Sequence, residues 1–312
     1  DAQRSLFLNG NALDLGADPL ARLAGGLAGF GDLTIDAGTD LNSGGVLDVA
    51  YLGAGGAGAA LSGRVDSVAG QPAVAALTGL GMAGTLTFGG AAGLVAQLAL
   101  GGSNDAMAVV ALPSSLFLTV RGLAGDDRLD AGDSQDSVAA IDGVLSFEGG
   151  IGTDALVVRG DASVAAGQIS AVAVTGMGMD VGSNAFGAVH NDAFGVAVAD
   201  VAHAPGAIYY GRFDRTSQLA QTTVETVTVQ LGAGDDTFSI DSVAAGTTVR
   251  VLGGPGSDTL RVGSTATGLY NGANHAAGVA AGLGELNQLD FIAGTLHLDG
   301  QGGPNTVLLD DS

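Results

Sequence analysis

Short runs of alternating apolar and polar residues, each ended by glycine or an acid, fill most of this chain. "GDLTIDAG" begins at Gly31, "GVLSFEGG" at Gly143 and "GTLHLDGQ" at Gly294. Between them lie "SLFLTV", "ALVV", "ETVTVQL", "TTVRVL" and "TLRV". A period of two, β-branched residues and bounding Gly, Asp or Asn predict short strands. The best helical candidate is "DPLARLAGGLAGF", near Asp18, and its glycines weaken it.

The runs repeat. "TGLGM" at Thr78 returns as "TGMGM" at Thr175, and Asp105 and Asp127 return 131 residues later as Asp236 and Asp258. Within each aspartate pair the spacing is 22 residues. Self-similarity of this kind marks a repeat architecture. The expected organisation is a lead-in or cap over 1–30 and a first unit over 31–142. A second unit covers 143–293 with an insertion around 180–222, and a third starts over 294–312. Because that third copy breaks off at Ser312, we expect the chain to be a piece of a longer protein. Strands this short, turning every 22 residues or so, predict an all-β fold: an elongated right-handed parallel β-helix, or β-solenoid, with loop insertions and degenerate tandem repeats. Each coil would rise by one strand spacing, ~4.8 Å, so that like turns stack on like turns.

Composition sharpens this picture. Of 312 residues, 55 are glycine and only 14 are aromatic, which suits a thin core of Val, Leu, Ile and Ala between stacked layers. Asp and Glu number 32 against ten basic residues, all arginine, for a net charge of −22. Such a surface repels phosphate, so no nucleic-acid partner is expected. It also repels itself unless cations offset it. No stretch offers the ~20 apolar residues of a membrane span. The chain has no cysteine, which does not place it in the cytoplasm, because a stacked coil ties its layers together without disulfides.

The turns carry the candidate chemistry. "GGIGTDALV" (Gly149 to Val157) and "GGPGSDTLR" (Gly253 to Arg261) share one spelling. "GLAGDDRLD" from Gly122 and "LGAGDDTFS" from Leu231 each lack one of its glycines. "LGGSNDAMA" from Leu100 and "GQGGPNTVL" from Gly300 are looser, the latter with Asn305 in the aspartate place. Glycine permits the sharp turn and aims carbonyl oxygens inward. Aspartate adds a hard anionic oxygen, of which calcium takes six to eight. The structural alternative is that Asp and Asn cap tight turns through side chain to backbone hydrogen bonds, and this is the stronger reading for Asp105 and Asn305.

These copies resemble the G-G-x-G-x-D-x-U-x nonapeptide of haemolysin-type, RTX-like calcium-binding repeats. In the familiar β-roll the nonapeptides run back to back, whereas here they stand 22, 27 or 47 residues apart. In that respect the chain is more similar to the GxGxD repeat units of very large bacterial surface or adhesin-type proteins. The resemblance covers most of Gly31 to Ser312 and implies a structural or adhesive protein, extracellular or at the cell surface. It implies Ca2+ held at Asp126, Asp127, Gly152, Asp154, Asp235, Asp236, Gly256 and Asp258, with Asp105 and Asn305 at the looser corners. Partners would be copies of the same chain or surface glycans.

Parallel β-helices also host lyases and epimerases of acidic polysaccharides. That alternative would use His190, His203, Tyr209, Tyr210, Arg212 and Arg215 in the long insertion, next to carboxylates that move a proton. The insertion reads more simply as an extruded loop whose aromatic residues cover the flank, so we expect no enzyme. A threonine ladder for ice or mineral is also disfavoured, because "TTVETVTV" supplies one patch that does not recur.

Overall fold

A computed structural model describes residues 60–80, 84–89, 94–132, 137–160, 166–179, 206–214, 219–263 and 288–310, together with the backbone of five earlier strands. The described chain is all-β, apart from two single 3-10 turns at Val138–Ala140 and Gln288–Phe291. Its strands form two mixed sheets of 12 and 11 strands and a separate two-stranded hairpin, Gly211–Asp214 with Leu219–Thr222. Neither large sheet closes on itself.

Long stretches of both sheets are parallel, with the chain passing from one to the other. In the larger sheet Ser62–Val68, Ala106–Val109, Arg128–Ala131, Ala155–Arg159, Thr226–Gln230, Thr248–Leu252 and Thr295–Asp299 pair in succession, all parallel. In the smaller sheet Leu94–Gly101, Leu116–Ala124 and Val144–Ile151 pair in parallel, as do Thr237–Ile240, Thr259–Gly263 and Thr306–Asp310.

Register follows from the alternation. Leu129, Leu156, Val227, Val249 and Leu296 are stacked partners on one row, and Ala131, Val158, Val229, Val251 and Leu298 on the next. Across from them Phe238 stacks on Leu260, and Val120 on Phe147. A one-residue slip would turn every one of these side chains outward, so burial fixes the register. Cover fades at the last strands: Val307 is 49% and Leu309 68% exposed.

Between the two parallel stretches of the smaller sheet lie Ala166–Ile169, Ala173–Gly176 and Ala207–Tyr209, joined by antiparallel pairings. Before this interruption the glycine–aspartate corners lead from the smaller sheet into the larger, as from Leu116–Ala124 into Arg128–Ala131. Beyond it they lead from the larger into the smaller, as from Thr248–Leu252 into Thr259–Gly263. Much of the expected insertion, residues 180–205, lies outside the described residues. The helical candidate near Asp18 is instead a strand, Leu20–Ala24, parallel to Gly45–Ala50. Pairing along one edge with that neighbour outweighs a weak helical pattern interrupted by glycine.

Candidate functional site

The corners stack into two columns. In the first, the Asp105 N–H donates to Asp127 Oδ1 at 2.8 Å, and the Asp127 N–H donates to Asp154 Oδ1 at 2.8 Å. The Asp154 N–H donates to Glu225 Oε2 at 2.7 Å, and Asp105 Oδ1 itself accepts from the Leu61 N–H at 2.7 Å. In the second column the Asp236 N–H donates to Asp258 Oδ1 at 3.1 Å, and the Asp258 N–H to Asn305 Oδ1 at 2.7 Å. Each of these side chains therefore caps the neighbouring turn, and Asn305 caps its own as well. The corners 22 residues apart, Asp105 with Asp127 and Asp236 with Asp258, are neighbours in a column, whereas the 131-residue offset relates corners of different columns.

A second set of side chains runs along the outside in the opposite sense. Asn104 Oδ1 accepts from the Asp126 N–H at 2.9 Å, Asp126 Oδ1 from the Thr153 N–H at 2.9 Å, and Asp235 Oδ1 from the Ser257 N–H at 2.8 Å. Inner and outer acids thus bind each corner to its neighbour from both sides.

The glycines are required by close approach. A Cβ on Gly152 would lie 1.9 Å from the Gly125 carbonyl oxygen, and one on Gly256 would lie 1.7 Å from that of Gly234. Both obstructions are main chain of the neighbouring corner, so nothing flexible can yield. Gly152 and Gly256 set the spacing between corners.

The second carboxyl oxygen is the chemically active feature. Oδ2 of Asp105, Asp127, Asp154 and Asp258 is buried with no hydrogen-bond partner among the described residues. The glycine five positions earlier packs on this oxygen: a Cβ on Gly122 would lie 2.2 Å from Asp127 Oδ2, and one on Gly253 would lie 2.2 Å from Asp258 Oδ2. A Cβ on Gly300 would lie 2.1 Å from Asn305 Nδ2, so that amide nitrogen occupies the same place. There it donates to the Gly300 and Gly302 carbonyls, both at 2.9 Å. The corner therefore calls for an electropositive group next to the inner oxygen. Asparagine carries its own; aspartate does not.

Electrostatics agree. Burial pushes Asp127 up from the ordinary 3.8 to about 6; its bond from Asp105 opposes this, and the charges of Asp105, Asp154 and Asp126 reinforce it. Asp105 and Asp154 are raised as well, chiefly by burial. A bound cation would reverse these shifts. The donor set fits calcium in kind, since a buried carboxylate oxygen and main-chain carbonyls are the hard oxygens it takes. Among the described residues no three His, Cys, Asp or Glu side chains converge as a metal cage. A calcium ion here would draw its anionic oxygens from Asp105, Asp127, Asp154 and Asp258.

Every expected corner residue falls in one of these columns or on its outer rim, and the columns also take in residues the motif does not name. Glu225 ends the first column, 71 residues beyond Asp154, and Asn104 opens the outer set. The signal for Glu225 was its place directly before the strand Thr226–Gln230, where the other corners put aspartate. Of the six residues of the enzymatic alternative, Tyr209 and Tyr210 are described with their side chains. Tyr209 and Tyr210 are buried, and the Tyr210 hydroxyl donates to the Ser170 carbonyl. His190, His203 and Arg215 lie outside the described residues. Among the described residues no helix is long and apolar enough to cross a membrane. No family model, no curated protein and no solved structure matches the chain.

Proposed function

We propose that this chain is a structural and adhesive segment of an extracellular bacterial surface protein. In this reading it is a right-handed β-solenoid that serves as part of a rod or filament and is stiffened by calcium. The observation that carries the reading is the run of inner carboxyl oxygens buried without a donor. An ion at the corner supplies the missing positive charge and ties one turn to the next. Stacked short strands then transmit force along the axis, and the acidic surface keeps the rod soluble. Thermal melting of the full chain in millimolar calcium and in chelator tests the reading. A melting temperature several degrees higher with calcium supports it, and coincident curves refute it.

A further inference from the structure

Asn305 differs from the aspartates above it by one functional atom, and that atom sits where they lack a partner. Its Oδ1 keeps the column bond, accepting from the Asp258 N–H at 2.7 Å, as Asp258 Oδ1 accepts from the Asp236 N–H. Its Nδ2 packs on Gly300 as Asp258 Oδ2 packs on Gly253. The difference is chemical. Asp258 Oδ2 is buried and has no donor, whereas Asn305 Nδ2 donates to the carbonyls of Gly300 and Gly302.

We propose that Asn305 is a built-in metal-free corner, its amide doing at the end of the second column what a cation does at Asp127, Asp154 and Asp258, and that the two kinds of corner are interconvertible. The inference rests on the calcium reading above and adds to it which corners need the ion and what replaces it. An amide and a carboxylate have nearly the same shape, so Asp→Asn leaves the Oδ1 acceptor in place. It turns the orphaned oxygen into a donor of the kind that Asn305 places on the Gly300 and Gly302 carbonyls, and it removes a negative charge from a crowded column. The charged groups facing Asp127 are Asp105, Asp126 and Asp154, and those raising Asp154 are Glu225 and Asp126, all acids. Chains with more Asn corners should therefore bind less calcium and depend on it less.

The experiment uses the full chain, its Asp127→Asn/Asp154→Asn/Asp258→Asn variant and the single Asn305→Asp variant. Each is melted in millimolar calcium and in chelator, and bound calcium is counted by equilibrium dialysis. The parent should lose several degrees in chelator. The triple variant should melt at one temperature in both buffers, at or above the parent with calcium, and bind fewer ions. Asn305→Asp should bind more calcium than the parent and show a larger chelator shift. If the parent responds to calcium while the triple variant stays chelator-sensitive, or folds by circular dichroism but melts below the chelated parent, the amide is no substitute and this inference fails alone. If Asn305→Asp gains no ion, it fails likewise, without reference to the stability of the triple variant. A parent indifferent to calcium removes the calcium reading, and this inference goes with it.

Discussion

The two corner columns are built on one hydrogen bond and differ in charge. Asp105, Asp127 and Asp154 rest on a fourth acid, Glu225, so the first column is acidic from top to bottom. The second runs Asp236, Asp258 and then Asn305, whose amide satisfies the corner without a charge. Stacking geometry is shared, because both columns need main-chain contact at Gly152 or Gly256. On the calcium proposal, what separates them is how much each would depend on a bound ion. The geometry of a corner thus comes from glycine, while the electrostatic demand comes from the acid.

The largest expected effect tests the shared part. Gly152→Ala and Gly256→Ala each press a methyl group onto main-chain oxygen of the adjacent corner, and each should cost about 3 kcal/mol or more. The two losses should match within error and persist in saturating calcium. Chemical denaturation of both variants checks this. A loss confined to the first column would show that the glycines act through the ion rather than through spacing.

How far these columns could be read from sequence depends on whether the signal is local. Strand and corner are local: "TVTVQ" alternates, and Gly-x-Asp announces the turn whichever sheet the chain is leaving. That indifference is why the 131-residue offset marks a repeat of sequence without marking a neighbour in the stack. A corner out of the smaller sheet and a corner out of the larger are spelled alike, so likeness of sequence pairs Asp127 with Asp258 although they stand in different columns. Glu225 was hidden for a different reason, since its partner Asp154 is 71 residues away across the interruption. Only register across the sheet, Ala155 on Thr226, brings the two together. The candidate site was legible as a set of residues. That each side chain caps its neighbour was not, because capping within a turn and capping across layers use the same residue types.

Next in size is an effect at the junction of the two halves. Asp241 follows the strand Thr237–Ile240, its N–H donates to the Ile169 carbonyl at 2.8 Å, and it accepts from Gln168 Nε2 of the interrupting segment. Burial raises this carboxyl from the ordinary 3.8 to about 7. A raised folded value stabilises the fold fully below the ordinary carboxylate range, and that stability is lost as pH rises toward and through 7. The chain should lose about 2 kcal/mol at this residue between pH 5 and pH 8. Asp241→Asn should flatten that slope. Urea unfolding across the range, parent against variant, measures it, and equal slopes would mean that Asp241 does not titrate in this window.

Removing an inner acid altogether comes third. Asp127→Ala leaves the Asp105 N–H without its acceptor, and Asp258→Ala does the same to that of Asp236, a penalty of about 1–2 kcal/mol each. In chelator the first should be the milder, because deleting Asp127 also relieves its repulsion with Asp105, Asp126 and Asp154. Equal costs in chelator would erase the proposed electrostatic difference between the columns.

The smallest effect isolates charge almost by itself. Asp126 and Asp235 occupy matching exposed places and cap matching N–H groups, those of Thr153 and Ser257. Losing an exposed cap shifts melting by about 1 °C or less in a chain of this length. Asp126, however, adds its charge to the burden on both Asp127 and Asp154. In low salt and chelator, Asp126→Ala should therefore leave melting unchanged or raise it slightly, while Asp235→Ala lowers it slightly. The contrast should close in high salt, which screens exposed charges beyond a few ångströms while sparing the hydrogen bonds. A contrast that survives high salt would assign the difference to the caps themselves, and charge would no longer be what distinguishes one column from the other.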